Sequence, residues 1–167
     1  DNPKVLAKAE QQLDEEINTS RNHAAIVLWS MANETPNTPA RTQFIETLAS
    51  RARGLDPTRL ITAALLVRAQ KNTKIIDDPL GQALDVIGFN EYIGWYEGHP
   101  DSADTTEWQI SYQKPLIVSE FGGGAKAGLH GNENERWTEE YQANIYRHQL
   151  PMLNKIAQLR GMSPWVL

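Results

Sequence analysis

Apolar positions along the chain alternate between two rhythms. Val5, Ala9, Leu13 and Ile17 recur every four residues, one stripe of a helix that starts at Asp1-Asn2-Pro3 and runs to about Ser20. A capping polar residue followed by Pro in the first turn is a helix start, because the missing N–H of Pro costs nothing there. Ala24 to Trp29 is an unbroken apolar run rich in β-branched residues, which predicts a buried strand. Thr38-Pro39 opens a second helix with Phe44, Ile45, Leu48 and Ala52 on its inner face, and Gly54 is placed to close it as a C-cap. Further strands are predicted at Leu60–Val67, Val86–Phe89, Leu116–Ser119 and Gly161–Leu167. Between them fall a short helical or turn segment at Asp77–Leu84, a helix around Thr105–Tyr112 after the polar loop Glu97–Asp104, and a long helix from Thr138 to about Gln158 bent at Pro151.

Buried strands alternating with helices mean an α/β chain with a parallel sheet and helical crossovers. An open doubly wound sheet and part of a (β/α)8 TIM barrel both fit. No Gly-rich nucleotide fingerprint follows the first strand, which weakens the dinucleotide-binding alternative.

Composition narrows the classes. With 167 residues, 40% hydrophobic and 22% charged, the chain is long enough for one cored domain and is not of disordered type. A net charge of −5 without clustered Lys and Arg predicts no nucleic-acid partner, and the apolar stretches are too short and interrupted for a membrane span. The absence of cysteine excludes disulfides, thiol nucleophiles and Cys metal sites. No signal peptide is visible, and both ends read as cut: the chain opens inside a helix and stops on a strand.

In parallel α/β folds, chemistry gathers at the carboxyl ends of the strands. There the chain places Asn33-Glu34, then Asn90-Glu91-Tyr92 with Trp95 and Tyr96, then Glu120, and Trp165 on the last strand. A carboxylate directly after a buried strand must be solvated, paired or used. Glu34 and Glu120 stand on strands three apart in order, which in a closed barrel face each other across the mouth. Two facing carboxylates suit glycoside hydrolysis, one as proton donor and one as attacking group, and Trp and Tyr offer flat faces for a sugar. Capping or salt bridging of these carboxylates is the structural alternative. Of the remaining polar features, His130 reads as a loop hydrogen-bonder without metal-ligand spacing, Gly122–Gly124 lacks the Lys-Ser/Thr of a phosphate loop, and Asp14-Glu15-Glu16 reads as a solvated helix face.

These segments resemble a known family. Asn22 to Glu34 (NHAAIVLWSMANE) is similar to the acid/base segment of glycoside hydrolase family 2, and Lys114 to Gly122 (KPLIVSEFG) to its nucleophile segment. Phe89 to Tyr96 (FNEYIGWY) resembles the Asn-Arg-Tyr-Tyr-Gly-Trp-Tyr stretch of the β-glucuronidase branch, and Ala127–His130 and Trp137–Gln142 follow in the same order. The resemblance implies a (β/α)8 barrel of which this chain covers the third helix through the eighth strand. It implies β-glycoside hydrolysis with retention, on a glucuronide or galactoside, with Glu34 as acid/base and Glu120 as nucleophile. By the same carry-over Asn33 and Asn90 contact the substrate, Tyr92 stands beside the nucleophile, and Trp165 lines the floor of the pocket; a carbohydrate is the partner, with no metal or organic cofactor. Glu91 and Ile93 depart from the pattern, standing where that branch carries Arg and Tyr. A non-catalytic half-barrel that binds carbohydrate without turnover is the alternative from another class.

A barrel closes to remove its sheet edges. Five strands leave two, predicted at Ile26–Trp29 and Ser163–Leu167, so the chain is expected to be a piece of a longer barrel and to self-associate through those edges or to rearrange into an open sheet.

Overall fold

A computed structural model describes residues 2–165. The first helix, α1 (Pro3–Ser20), is capped by Asn2, whose side chain accepts from Lys4 N at 3.0 Å. Its inner stripe differs from the expected one in a single position. Leu6, Ala9, Leu13 and Ile17 meet the core, whereas Val5 is 55% exposed. At about 100° per residue, Leu6 lies about 20° round the helix from Ile17 and Val5 about 120°. Asp14 joins Arg51 on the next helix, so only Glu15 and Glu16 of the acidic run form a solvated face.

The first strand, β1 (Leu28–Asn33), begins four residues later than the apolar run predicts. Ala24 and Ala25 are exposed, and Val27 is 70% exposed. Arg59 holds this segment out of the sheet by donating to Ile26 O (2.7 Å) and His23 O (3.1 Å), and strand pairing starts only at Leu28. Helix α2 (Pro39–Leu55) is capped by Thr38 and buries Ile45, Leu48, Ala49 and Ala52. Gly54 is not its C-cap; the helix runs through it to Leu55 and ends at Asp56 in extended backbone. The Asp56 carboxylate gathers hydrogen bonds from Thr58, Trp29 Nε1 and Arg59, which hold its pKa well below the usual carboxylate range.

Strands β2 (Leu60–Leu65), β3 (Arg68–Gln70), β4 (Thr73–Ile76), β5 (Val86–Glu91), β6 (Glu107–Ile110), β7 (Leu116–Phe121) and β8 (Leu159–Pro164) follow, with α3 (Glu139–Asn154) between the last two. Five of them form one parallel sheet in the order β1-β2-β5-β7-β8. Its centre is the driest part: every residue of β5 is buried, and so is every residue of β2 after Leu60. The helices cover one side through Ile17, Ile45, Leu48, Met152 and Leu153.

The crossovers are less helical than expected. Only β1-to-β2 and β7-to-β8 use α-helices; the middle two carry short 3-10 helices at Pro79–Gln82 and Pro100–Thr105. The segment expected as a helix around Thr105–Tyr112 is strand β6. Its side chains alternate exposed and half-buried, the period of a strand, and it pairs in parallel with β4. Together β3, β4 and β6 make a second, three-stranded sheet. Helix α3 stops at Asn154 rather than Gln158; Pro151 stands in its last turn, where it offers no N–H to the preceding turn. The last strand lies two residues earlier than predicted, and Val166 and Leu167 fall outside the described residues.

Candidate active site

All six residues singled out from the sequence line one cavity of about 540 Å³ at the carboxyl ends of the strands: Asn33, Glu34, Asn90, Tyr92, Glu120 and Trp165. Two strands separate β1 from β7 in the sheet. Their end carboxylates share a cavity only because the sheet curls.

Each carboxylate follows a β-bulge. Between Ser30 and Asn33, β1 carries one residue more than β2 opposite, and between Val118 and Glu120, β7 carries one more than β5. An extra residue in one strand swings the following side chains relative to the pleat, which is how bulges re-aim groups beside sites. Glu34 is further constrained. Its N–H donates to Ala64 O at 2.9 Å while its φ is 49°, in the left-handed region. For a residue with a Cβ that conformation costs about 1 kcal/mol or more. Glu34→Gly is therefore expected to be more stable than Glu34→Ala by about 1 kcal/mol in urea unfolding, since both remove the carboxylate and only Gly relaxes the backbone. Equal midpoints would contradict the strained placement.

The two carboxylates have different surroundings. Glu120 Oε2 accepts a hydrogen bond from the Tyr92 hydroxyl at 2.8 Å. Burial, and then that bond, push the Tyr92 phenol well above its ordinary value, so it stays a donor. Glu34 is exposed to the cavity, and its carboxylate has no hydrogen-bond or ion-pair partner among the described residues. Between the two runs a polar string. The Ser119 hydroxyl donates to Asn90 Oδ1 (2.8 Å), and Asn90 Nδ2 donates to Asn33 Oδ1 (3.0 Å). With its oxygen occupied, Asn33 has its amide N–H groups left to donate into the cavity. Trp165 is set by its own N–H, which donates to Phe121 O at 2.7 Å.

The wall also contains Tyr96, which the sequence places on the same rim, and three residues that sequence reasoning did not select: Lys74, Glu97 and Val67. Tyr96 is 75% exposed and meets Tyr92 edge-on at 4.9 Å. Lys74 is carried by a hairpin that the sequence analysis does not include. Lys71-Asn72 is a two-residue turn between two short strands, with Lys71 at φ 54°. Glu91 is buried, with Oε1 accepting from Ile93 N at 2.8 Å and Oε2 lying 3.6 Å from Lys74 Nζ. Burial pushes its carboxyl above the ordinary value, against the pull of Lys74.

The glycine run after Glu120 serves close packing. Gly122 has φ 110°, and a Cβ on it would stand 2.5 Å from the Tyr146 hydroxyl; one on Gly123 would stand 2.6 Å from Ile145 Cδ1. Beyond it, His130 Nδ1 lies 2.9 Å from Glu140 Oε1, and the hydrogen bond between them raises the imidazole pKa. Among the described residues no group of three or more acidic, His or Cys side chains is placed to hold a metal.

The chain is similar to known proteins in sequence and fold. Residues 1–155 match the model of the glycosyl hydrolases family 2 TIM barrel domain. A β-glucuronidase of Rattus norvegicus is 36% identical over 143 residues, 80% of this chain and 21% of the rat protein. A β-glucuronidase from an uncultured Clostridium superposes with a TM-score of 0.82 at 30% identity, over 99% of this chain and 30% of that one. A β-galacturonidase of Eisenbergiella tayi, solved with galacturonate bound, shares the fold with a TM-score of 0.78 at 24% identity, over 98% of this chain and 30% of that one. The chain thus spans between a fifth and a third of the length of these relatives. With five parallel strands curled around a carboxylate-lined cavity, it belongs to glycoside hydrolase family 2 and forms part of that family's TIM barrel domain.

Proposed function

We propose that this chain supplies the catalytic side of a retaining β-glycosidase, running from the third helix to the eighth strand of its barrel. The observation that carries the reading is the shared cavity of Glu34 and Glu120, with Tyr92 bonded to only one of them. That asymmetry suits two roles. Glu120, held as an acceptor, attacks the anomeric carbon and forms a glycosyl-enzyme. Glu34, without a partner among the described residues, donates a proton to the leaving oxygen and then takes one from the water that releases the sugar. Asn33, its oxygen occupied by Asn90, donates to the sugar 2-hydroxyl, a contact that strengthens as charge develops at the anomeric centre. Trp165 and Tyr96 offer faces for the sugar ring. A carbohydrate is the substrate, a β-glucuronide or β-galactoside being the sugars that the family reading favours.

The test is a panel of aryl β-glycosides (glucuronide, galactoside, glucoside, mannoside) with the first-formed sugar anomer read by NMR. Turnover of one sugar with the β-anomer released first is expected. Release of the α-anomer first would sink the double-displacement reading.

A further inference from the structure

Three polar side chains of helix α3 each hold a backbone carbonyl beside the strand ends. The Gln149 amide donates to Ile93 O at 2.6 Å, the Tyr141 hydroxyl donates to Gly94 O, and the Gln142 amide donates to Gly123 O at 2.8 Å. Tyr141 and Gln149 are buried, and Gln149 Oε1 has no partner among the described residues, a cost that its one bond must offset. The three carbonyls belong to two turns that flank the reacting pair. Ile93 and Gly94 directly follow Tyr92, the first residue beyond β5, and Gly123 lies two residues beyond the end of β7, which carries Glu120. Pairing between β5 and β7 stops at Glu91 opposite Phe121, so the sheet ladder does not tie Tyr92 to β7. The same helix packs Ile145 and Tyr146 against Gly123 and Gly122. A hydrogen bond of 2.8 Å is lost when its partners separate by about 1 Å, so the contact of Tyr92 with Glu120 depends on how the two turns are held apart.

We propose that Tyr141, Gln142 and Gln149 are positioning residues for the nucleophile: by gripping the exits of β5 and β7 from one helix, they keep the Tyr92 hydroxyl on Glu120. None of the three lines the cavity, so they act only through the pair they hold. Two of them, Tyr141 and Gln142, belong to the segment Trp137–Gln142, to which the cavity itself assigns no task. Each bond fixes a main-chain atom rather than a side chain, so it sets where the strand exit lies. The tyrosine and the carboxylate then meet as rigid extensions of two anchored turns. The inference rests on Glu120 being the nucleophile, and its first test needs no hydrolysis.

The chain has five tyrosines, so labelling each at the phenol carbon with carbon-13 gives a short NMR spectrum in which Tyr92→Phe identifies the Tyr92 signal. That carbon responds to the hydrogen bond its hydroxyl makes, and Glu120→Ala supplies the position of the unbonded phenol. Tyr141→Phe, Gln142→Met and Gln149→Met should each move the Tyr92 signal part of the way to that position. Tyr141→Phe removes a single oxygen and keeps the test open should a glutamine variant not fold. The second measurement is the rate of covalent labelling by 2-fluoro glucuronide and 2-fluoro galactoside. The same three changes should slow it about five-fold or more, the net worth of one hydrogen bond, and by less than about two-fold when Tyr92 is already Phe. A general loss of support would slow both backgrounds alike. A Tyr92 signal unmoved by all three changes, or equal slowing with and without Tyr92, overturns the positioning role and leaves the nucleophile standing. An unmodified chain that neither reagent labels overturns the nucleophile, and this role with it.

Discussion

Replacing Glu120 by Gln is expected to abolish the covalent glycosyl-enzyme and to lower turnover by on the order of 10⁴-fold, about 5.5 kcal/mol of barrier. The amide keeps the shape of the side chain but has no anionic oxygen with which to attack. Its oxygen can still accept from Tyr92, which in the unmodified chain donates to Glu120 Oε2 at 2.8 Å, so the cavity should keep its form and substrate should still bind. Intact-mass spectrometry with a 2-fluoro glycoside, which slows release of the sugar from the enzyme, separates the cases. The unmodified chain should gain the mass of the sugar and Glu120→Gln should not. A labelled Glu120→Gln protein would move the nucleophile elsewhere.

Glu34→Ala should reveal itself by selectivity. Removing a general acid costs about 10²- to 10⁴-fold, but only where the leaving oxygen needs a proton. Alkyl glycosides should lose rate in that range, whereas dinitrophenyl glycosides, whose leaving group departs as a stable anion, should form the glycosyl-enzyme almost as before. Release of the sugar also uses Glu34, as base, so the adduct should accumulate, and azide should restore its breakdown because it attacks without needing deprotonation. Equal losses on both leaving groups, with no rescue by azide, would contradict the acid/base assignment. The free position of the Glu34 carboxylate suits a group that must exchange protons with substrate and water in turn.

The grouping of the candidate residues was more legible in the sequence than the boundaries of the elements that carry them. The six candidate residues share a cavity because each stands near the carboxyl end of a strand of the parallel sheet, a rule of topology that needs no exact boundary. Boundaries depended on contacts from far along the chain. Ala24–Val27 has the composition of a strand and is kept out of the sheet by Arg59, 33 residues from Ile26. Gly54 has the signature of a helix end, yet the chain turns at Asp56, where Trp29, Thr58 and Arg59 converge on one carboxylate. Strand β6 was read as a helix because parallel alternation of strands and helices was extended to a crossover that uses a second sheet instead. Lys74 escaped notice for the same reason: it belongs to that second sheet, and nothing in its own neighbourhood shows that β4 leans on the mouth of the first.

The two bulges have a bearing on which changes this chain can tolerate over evolutionary time. Each bulge takes up one extra residue while the strand beyond it stays paired with its neighbour, so losing that residue would straighten the strand and change how Glu34 or Glu120 is aimed into the cavity. A point substitution changes one group; a deletion there changes the bend of the strand that carries it. The spacing of these segments is thus as much a part of the chemistry as the glutamates, and descendants of this sequence should keep the lengths of Leu28–Asn33 and Leu116–Phe121 fixed.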